Sequence, residues 1–166
     1  MSETTLSTTT PADADRPFTL PYARLRDGYE AMTALSAVGK VGLEPLLLEL
    51  VKIRASQING CAYCLDMHTK DARALGEVDE RLDGLAAWRE LPWYSDRERA
   101  ALELTEAVTR LSEGHPPAAV VEELGWHFTE EEATRLLYAI VTINTWNRLA
   151  VVGDGAEPGR YRSPLG

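Results

Sequence analysis

The chain is poor in cysteine, carries no excess of basic charge and has no long apolar run. Its 166 residues hold two cysteines, and 26 acidic against 17 basic residues leave a net charge of -9. A sequence-independent nucleic-acid binder needs a basic face to neutralise phosphate, so this balance argues against nucleic acid as a partner. It argues equally against docking on an anionic membrane. No apolar stretch approaches the roughly 20 residues that cross a bilayer, so no membrane span is expected. Residues 1–20 are polar and rich in Ser and Thr, without the basic start and apolar centre of a secretion signal. They read as a flexible N-terminal arm, and the expected location is cytoplasmic. Structural disulfides are rare in that compartment, where a C-x-x-C pair is more often catalytic or metal-binding. Internal repeats and a second C-x-x-C are also missing. Strand signals reduce to the apolar stretch at 139–143, whose surroundings read as helix.

What is present reads as one soluble all-α domain over residues 21–152, followed by an irregular tail at 153–166. Apolar residues recur at three- and four-residue steps from Tyr22 to Val38. Gly39 and Gly42 interrupt that pattern, and Pro45 suits the first turn of a second helix carrying Leu46, Leu47, Leu50 and Ile53. Asn59-Gly60 predicts a break. A third helix is expected from the cysteines to Leu75, with Gly76 as its stop. A short segment at Arg81–Ala87 and a Trp- and Pro-marked turn at Trp88–Tyr94 follow. Ser95 and Glu98 form a capping-box pattern opening a helix that ends before His115-Pro116-Pro117. Thr129 and Glu132 form a second, opening a long apolar helix to about Leu149. Trp88, Trp93, Trp126 and Trp146 read as core or interface packing, and His115 and His127 as structural.

The chemistry concentrates between residues 49 and 68. Cys61 and Cys64 form the C-x-x-C pair, and His68 follows four residues later. On a helix these three occupy i, i+3 and i+7 and share one face. Positions three apart suit a disulfide, whose Cα atoms span about 4.4–6.8 Å, so the pair can cycle between dithiol and disulfide. Glu49 lies twelve residues before Cys61. Uninterrupted helix would hold the two about 18 Å apart, so Glu49 reaches the thiols only if the chain folds back at Asn59-Gly60. Three bland readings stand beside this one. The cysteines can be small buried core residues. They and His68 can be three ligands of a zinc site whose fourth would be Glu49 or His127. Glu49 can be a solvated helix residue paired with Lys52, with Ser56 and Asn59 serving as turn caps.

The pattern Glu49-x11-Cys61-x-x-Cys64-x3-His68, within KIRASQINGCAYCLDMH, resembles the AhpD-like alkylhydroperoxidases of the carboxymuconolactone decarboxylase superfamily. The resemblance is dense from Leu46 to Gly76 and looser through the Glu98 helix and INTWNRLA. It implies a single-domain helical bundle with the C-x-x-C at the start of a helix, acting as a peroxidase on alkyl hydroperoxides or hydrogen peroxide. Cys64 would be the peroxidatic thiol. Cys61 would protonate the leaving alkoxide and then resolve the sulfenic acid, with Glu49 and His68 as the proton relay. The resemblance implies no cofactor and no metal. It also implies a dithiol reductant, a lipoyl group or a thioredoxin-like protein, and a homo-oligomer with the INTWNRLA helix as candidate interface. In one place the chain departs: Tyr63, between the cysteines, replaces a relay histidine, and a phenol with pKa about 10 is a poor shuttle at neutral pH. Two other functions stay open. One is decarboxylase-like proton transfer on a small lactone or carboxylate, with Glu49 and His68 acting. The other is a non-enzymatic thiol redox sensor.

Overall fold

The computed structural model describes residues 19–165, and among them every regular element is a helix. The α-helices are α1 (Arg26–Val38), α2 (Pro45–Asn59), α3 (Ala62–Ala74), α4 (Asp79–Gly84), α5 (Asp96–Thr109), α6 (Ala118–His127) and α7 (Glu130–Val152). The all-α expectation holds, with the C-x-x-C at the start of α3. Of the arm expected over residues 1–20, residues 1–18 lie outside the described residues. Leu20 is tied down: its backbone exchanges bonds with Asp154 beyond α7, at 2.6 and 3.0 Å.

Local chemistry sets the helix ends. Pro45 occupies the first turn of α2, where a missing N–H costs nothing. Gly60 ends α2 in the left-handed conformation at φ 66°, which spares the chain a Cβ clash and reverses its direction. Both expected capping boxes form, Ser95 with Glu98 on α5 and Thr129 with Glu132 on α7. Three details depart from the sequence reading. Residues Tyr22–Arg24 form a single 3-10 turn, and α1 begins only at Arg26, because Leu25 at ψ 85° is not helical. Helix α7 continues past Leu149 to Val152. Helix α6 was not foreseen. It buries only Val120 and Leu124, and Trp126 beside them is 83% exposed, so that ring is not part of the core.

Helix α2 runs through the centre of the molecule, against α3, α5 and α7. Its Leu50, Val51 and Ala55 are fully buried and Ile53 nearly so, the signature of a helix enclosed on all sides. One apolar cluster joins α2 to α5, α6 and α7, and a second joins it to Leu82, Leu85, Trp88, Tyr94 and Leu102. A third, smaller cluster unites Ala55, Cys61, Cys64 and Ile143 where α2, α3 and α7 meet. Helix α1 buries no residue, yet its end is fixed against α7. A Cβ at Gly39 would lie 2.7 Å from the backbone nitrogen of Ala139, so only glycine allows that approach. After α7 the chain crosses α3, where Gly159 N–H donates to Asp66 and the Tyr161 hydroxyl donates to Asp71.

Candidate active site

The turn at Gly60 places Cys61 at the N-cap of α3. Its backbone N–H donates to the Ser56 carbonyl at 3.0 Å, and its sulfur accepts from the Cys64 N–H at 3.4 Å. Both cysteines are 1% exposed, and their sulfurs lie 2.7 Å apart. They can therefore join without backbone movement. Cys64 lines a cavity, whereas Cys61 packs with Ala55 and Ile143. Burial, and then the bond with Cys61, pushes the Cys64 thiol up to about 12, against a smaller downward influence of the Asn147 amide. The resting thiol is therefore protonated at neutral pH, and a base must take its proton before the sulfur attacks.

Such a base stands one helical turn away. His68 lines the same cavity, and its Nδ1 lies 2.7 Å from Glu49 Oε2. Burial holds His68 below its ordinary value despite the upward pull of Glu49, so the ring is neutral at pH 7. With Nδ1–H donating to the carboxylate, Nε2 carries the free lone pair. Burial works to raise the Glu49 carboxyl, but the bond from His68 and the charge of Lys52 outweigh it and hold it below its ordinary value. Lys52 Nζ sits 2.5 Å from Glu49 Oε1. The fold-back at Asn59-Gly60 thus does bring Glu49 from α2 to α3, where it meets His68. The pairing with Lys52 is also present, but in a buried cluster rather than in solvent.

The cavity holds about 260 Å³. Four aromatic rings wall it: Tyr22 before α1, Tyr29 on α1, Tyr63 on α3 and Trp146 on α7, joined by Met67, Ile143 and Ala139. Tyr29 and Tyr22 meet Trp146 edge-on, with ring centres at 5.4 and 6.5 Å. The Trp146 indole N–H donates to Ser36 at 2.8 Å, locking the wall of α7 to α1.

Could the cluster hold a metal? Ligand atoms of Glu49, His68 and Asp71 lie within 4.8 Å of one another. The Lys52 ammonium already neutralises Glu49 there, and the Tyr161 hydroxyl binds Asp71 at 2.9 Å. A cation would have to displace one and repel the other, so the donor set suits protons better than a metal. The cysteines do not belong to this group, and His127 pairs with Glu123 at the end of α6. Sequence reasoning passed over Asp71, Tyr161 and Asn147. Only Asn147 left a signal, as one of two amides interrupting an apolar helix.

Residues 26–107, which carry Glu49, both cysteines and His68, match the carboxymuconolactone decarboxylase family. The uncharacterized protein YdfG of Bacillus subtilis is 46% identical over 103 residues, which span 62% of this chain and 70% of that one. An Agrobacterium tumefaciens protein of unknown function, grouped with the antioxidant defence protein AhpD, shares 40% identity at a TM-score of 0.78 over 85% of this chain and 99% of that one. An uncharacterized peroxidase-related protein from Ralstonia eutropha JMP134, with an alkylhydroperoxidase AhpD core, shares 25% identity at a TM-score of 0.71 over 83% and 74%. Sequence, fold and the spacing of Glu49, Cys61, Cys64 and His68 agree, and the chain belongs to the carboxymuconolactone decarboxylase family, in its AhpD-like group.

Proposed function

We propose that the protein is a thiol peroxidase that reduces organic hydroperoxides through Cys64 and Cys61. The observation that carries this reading is a pair of adjoining thiols, one of which shares an aromatic-walled cavity with a neutral, carboxylate-supported imidazole. In the cycle, His68 Nε2 takes the Cys64 proton and the sulfur attacks the distal oxygen of ROOH. The O–O bond breaks, Cys64 becomes a sulfenic acid, and the alkoxide leaves as ROH with the proton of Cys61. The Cys61 thiolate then attacks the sulfenic sulfur. An S–S bond forms, and hydroxide departs as water with the proton stored on His68. An external dithiol, a lipoyl group or a thioredoxin-like protein, reopens the disulfide by exchange and is itself oxidised. Glu49 holds the His68 tautomer and stabilises the imidazolium between the two steps. Tyr63 serves as wall rather than shuttle, since burial raises its phenol above the ordinary value. The aromatic lining favours bulky apolar hydroperoxides over hydrogen peroxide.

We read the working form as a homo-oligomer. Leu137, Tyr138 and Val141 lie exposed along α7, next to the segment INTWNRLA. Among the described residues no helix is long and apolar enough to cross a membrane.

One equivalent of cumene hydroperoxide mixed with reduced protein tests the reading, with mass spectrometry following the thiols. Wild type should form the 61–64 disulfide, and Cys61→Ser should stop at a sulfenic acid on Cys64. Oxidation no faster than that of a free thiol, equal at both cysteines, would sink it. A second reading has its own support: a thiol held at about 12 beside a ready base suits proton transfer by Glu49 and His68 on a small carboxylate or lactone. Activity lost in Glu49→Gln but kept in Cys64→Ser would select that reading.

A further inference from the structure

The chain has three lysines against 26 acidic residues, and two of them, Lys40 and Lys52, line the cavity that holds Cys64 and His68. Among the described residues no aspartate or glutamate lines it. The two cations differ in what they already hold. Lys52 is largely buried and spends its charge on Glu49 at 2.5 Å. Lys40 is exposed at the rim, and among the described residues its ammonium has no ion-pair or hydrogen-bond partner. The hydroxyls of Thr33, Ser36 and Thr142 in the same lining donate to carbonyls of their own helices, at 2.9, 2.8 and 2.9 Å. A ligand there meets a largely aromatic wall and one uncommitted positive charge. The fold sets where that charge stands. Gly39 abuts the backbone of Ala139 and so brings Lys40 to that level of α7. Ile143, four residues and about 6 Å further along the helix, clusters with Cys64. The reacting sulfur and the free cation are thus about one helical turn apart along one wall, a span that a ring substituted at opposite ends can bridge.

We propose that the substrate is a hydroperoxide carrying a carboxylate on a body the size of one aromatic ring, with the carboxylate on Lys40 and the hydroperoxide at Cys64. This names the substrate class of the peroxidase reading and rests on that reading for the reacting group. Size sets the body. A cavity of about 150 Å³ accepts a benzene ring, so one of about 260 Å³ accepts a ring with a substituent at each end. Charge sets the rim. With Lys52 neutralised by Glu49, a carboxylate can pair with Lys40 through charge-assisted hydrogen bonds, whereas a neutral hydroperoxide leaves that ammonium to water. Charge also sets the orientation: turned end for end, the molecule would bury its carboxylate against Cys64, where no cation is free, a costly placement for an ion. Attack by Cys64 breaks the O–O bond as in the cycle above. The sulfur becomes the sulfenic acid, and the organic product is a hydroxy acid whose carboxylate is unchanged.

A lysine just past the end of α1 also suits the negative end of that helix, and that role alone predicts no substrate preference. The test pairs the para-carboxylate of cumene hydroperoxide with its methyl ester, which shares the ring and the peroxide and lacks the charge. Wild type, kept reduced with dithiothreitol, should turn over the carboxylate with a kcat/KM about tenfold above that of the ester, the effect of one bond to a charged group. Lys40→Gln should abolish that preference, and Lys40→Arg, which keeps the charge, should retain it. Equal use of the two compounds by wild type, or a preference that survives in Lys40→Gln, would overturn the proposal. A peroxide-free ligand separates its failure from that of the peroxidase reading. Followed by quenching of tryptophan fluorescence, para-isopropylbenzoate should bind wild type about tenfold more tightly than Lys40→Gln. Equal binding overturns the assignment of Lys40. If neither hydroperoxide is consumed, the peroxidase reading falls, while this binding still decides whether Lys40 receives a carboxylate.

Discussion

Glu106 is the buried acid whose removal should register most plainly in stability. It lies on α5, 5% exposed, and accepts from Arg54 on α2 at 2.7 Å, from the Trp88 indole at 2.9 Å and from Arg89 at 2.7 Å. Burial alone would raise its carboxyl, but these donors lower it to about 2 from an ordinary 4.5. A difference of about 2.5 units at roughly 1.4 kcal/mol each corresponds to about 3 kcal/mol. Because the folded value is depressed, this stability is fully present above about pH 4.5, where the unfolded carboxyl is also ionised, and is lost as pH falls toward 2. Glu106→Gln should be less stable than wild type by about 3 kcal/mol at pH 7, since it also leaves Arg54 buried without a counter-charge. The deficit should shrink through the acid window and vanish near its foot. Urea unfolding of both proteins, followed by helical circular dichroism at a series of pH values, measures this directly. Two stability curves that run parallel from neutral to acid pH would refute the assignment, because other acids contribute equally to both proteins and cancel in the difference.

The proposed base makes a separate prediction. Because burial holds His68 below its ordinary 6.5, peroxide turnover should persist at neutral pH and fall only as pH drops below that value. Glu49→Gln should cut the plateau by about a hundredfold and move the acid limb lower still, since the carboxylate is what pulls the imidazole upward. A pH–kcat/KM profile unchanged in that variant would remove Glu49 from the relay. Gly39→Ala should cost about 1–3 kcal/mol, read as a lower Tm, because its Cβ meets the α7 backbone at 2.7 Å and α1 must move away. An unaltered melting curve would show that α1 is not pinned there.

The parts legible in the sequence were those set by neighbouring residues. Capping boxes at Ser95 and Thr129 span three residues each, and the break at Asn59-Gly60 is a dipeptide with its own backbone preference. Even the meeting of α2 and α3 followed from that turn, because two helices joined by so short a link must run antiparallel. Helix α6 escaped because Val120, Val121 and Gly125 are weak helix formers and only two of its side chains face the core. The aromatic cavity escaped for a different reason. Tyr22, Tyr29, Tyr63 and Trp146 come from three helices and a preceding turn, and no spacing within one segment marks them as neighbours. Tyr161 reaches Asp71 across 90 residues of chain, a contact that only the folded path creates.

Helix α2 explains why stability and site are not separable here. Glu49, Lys52, Ser56 and Asn59 recur at helical spacing and give α2 a polar stripe toward α3 and α7. Arg54 points elsewhere, to Glu106 on α5, and the apolar residues between fill the core. A helix enclosed on all sides could be satisfied by leucine in many rotations. Polar groups that must each find a partner allow far fewer, since a slip of one residue would strand Arg54 and Glu49 unpaired in the interior. The Arg54–Glu106 pair therefore sets the rotation at which Glu49 meets His68 and Ser56 meets Asn147. On that account Glu106→Gln should disturb the ionisation of Cys64 as well as the folding free energy, although Glu106 sits on the far side of α2. A Glu106→Gln protein with lowered stability and an unchanged Cys64 titration would show instead that the two networks are held independently.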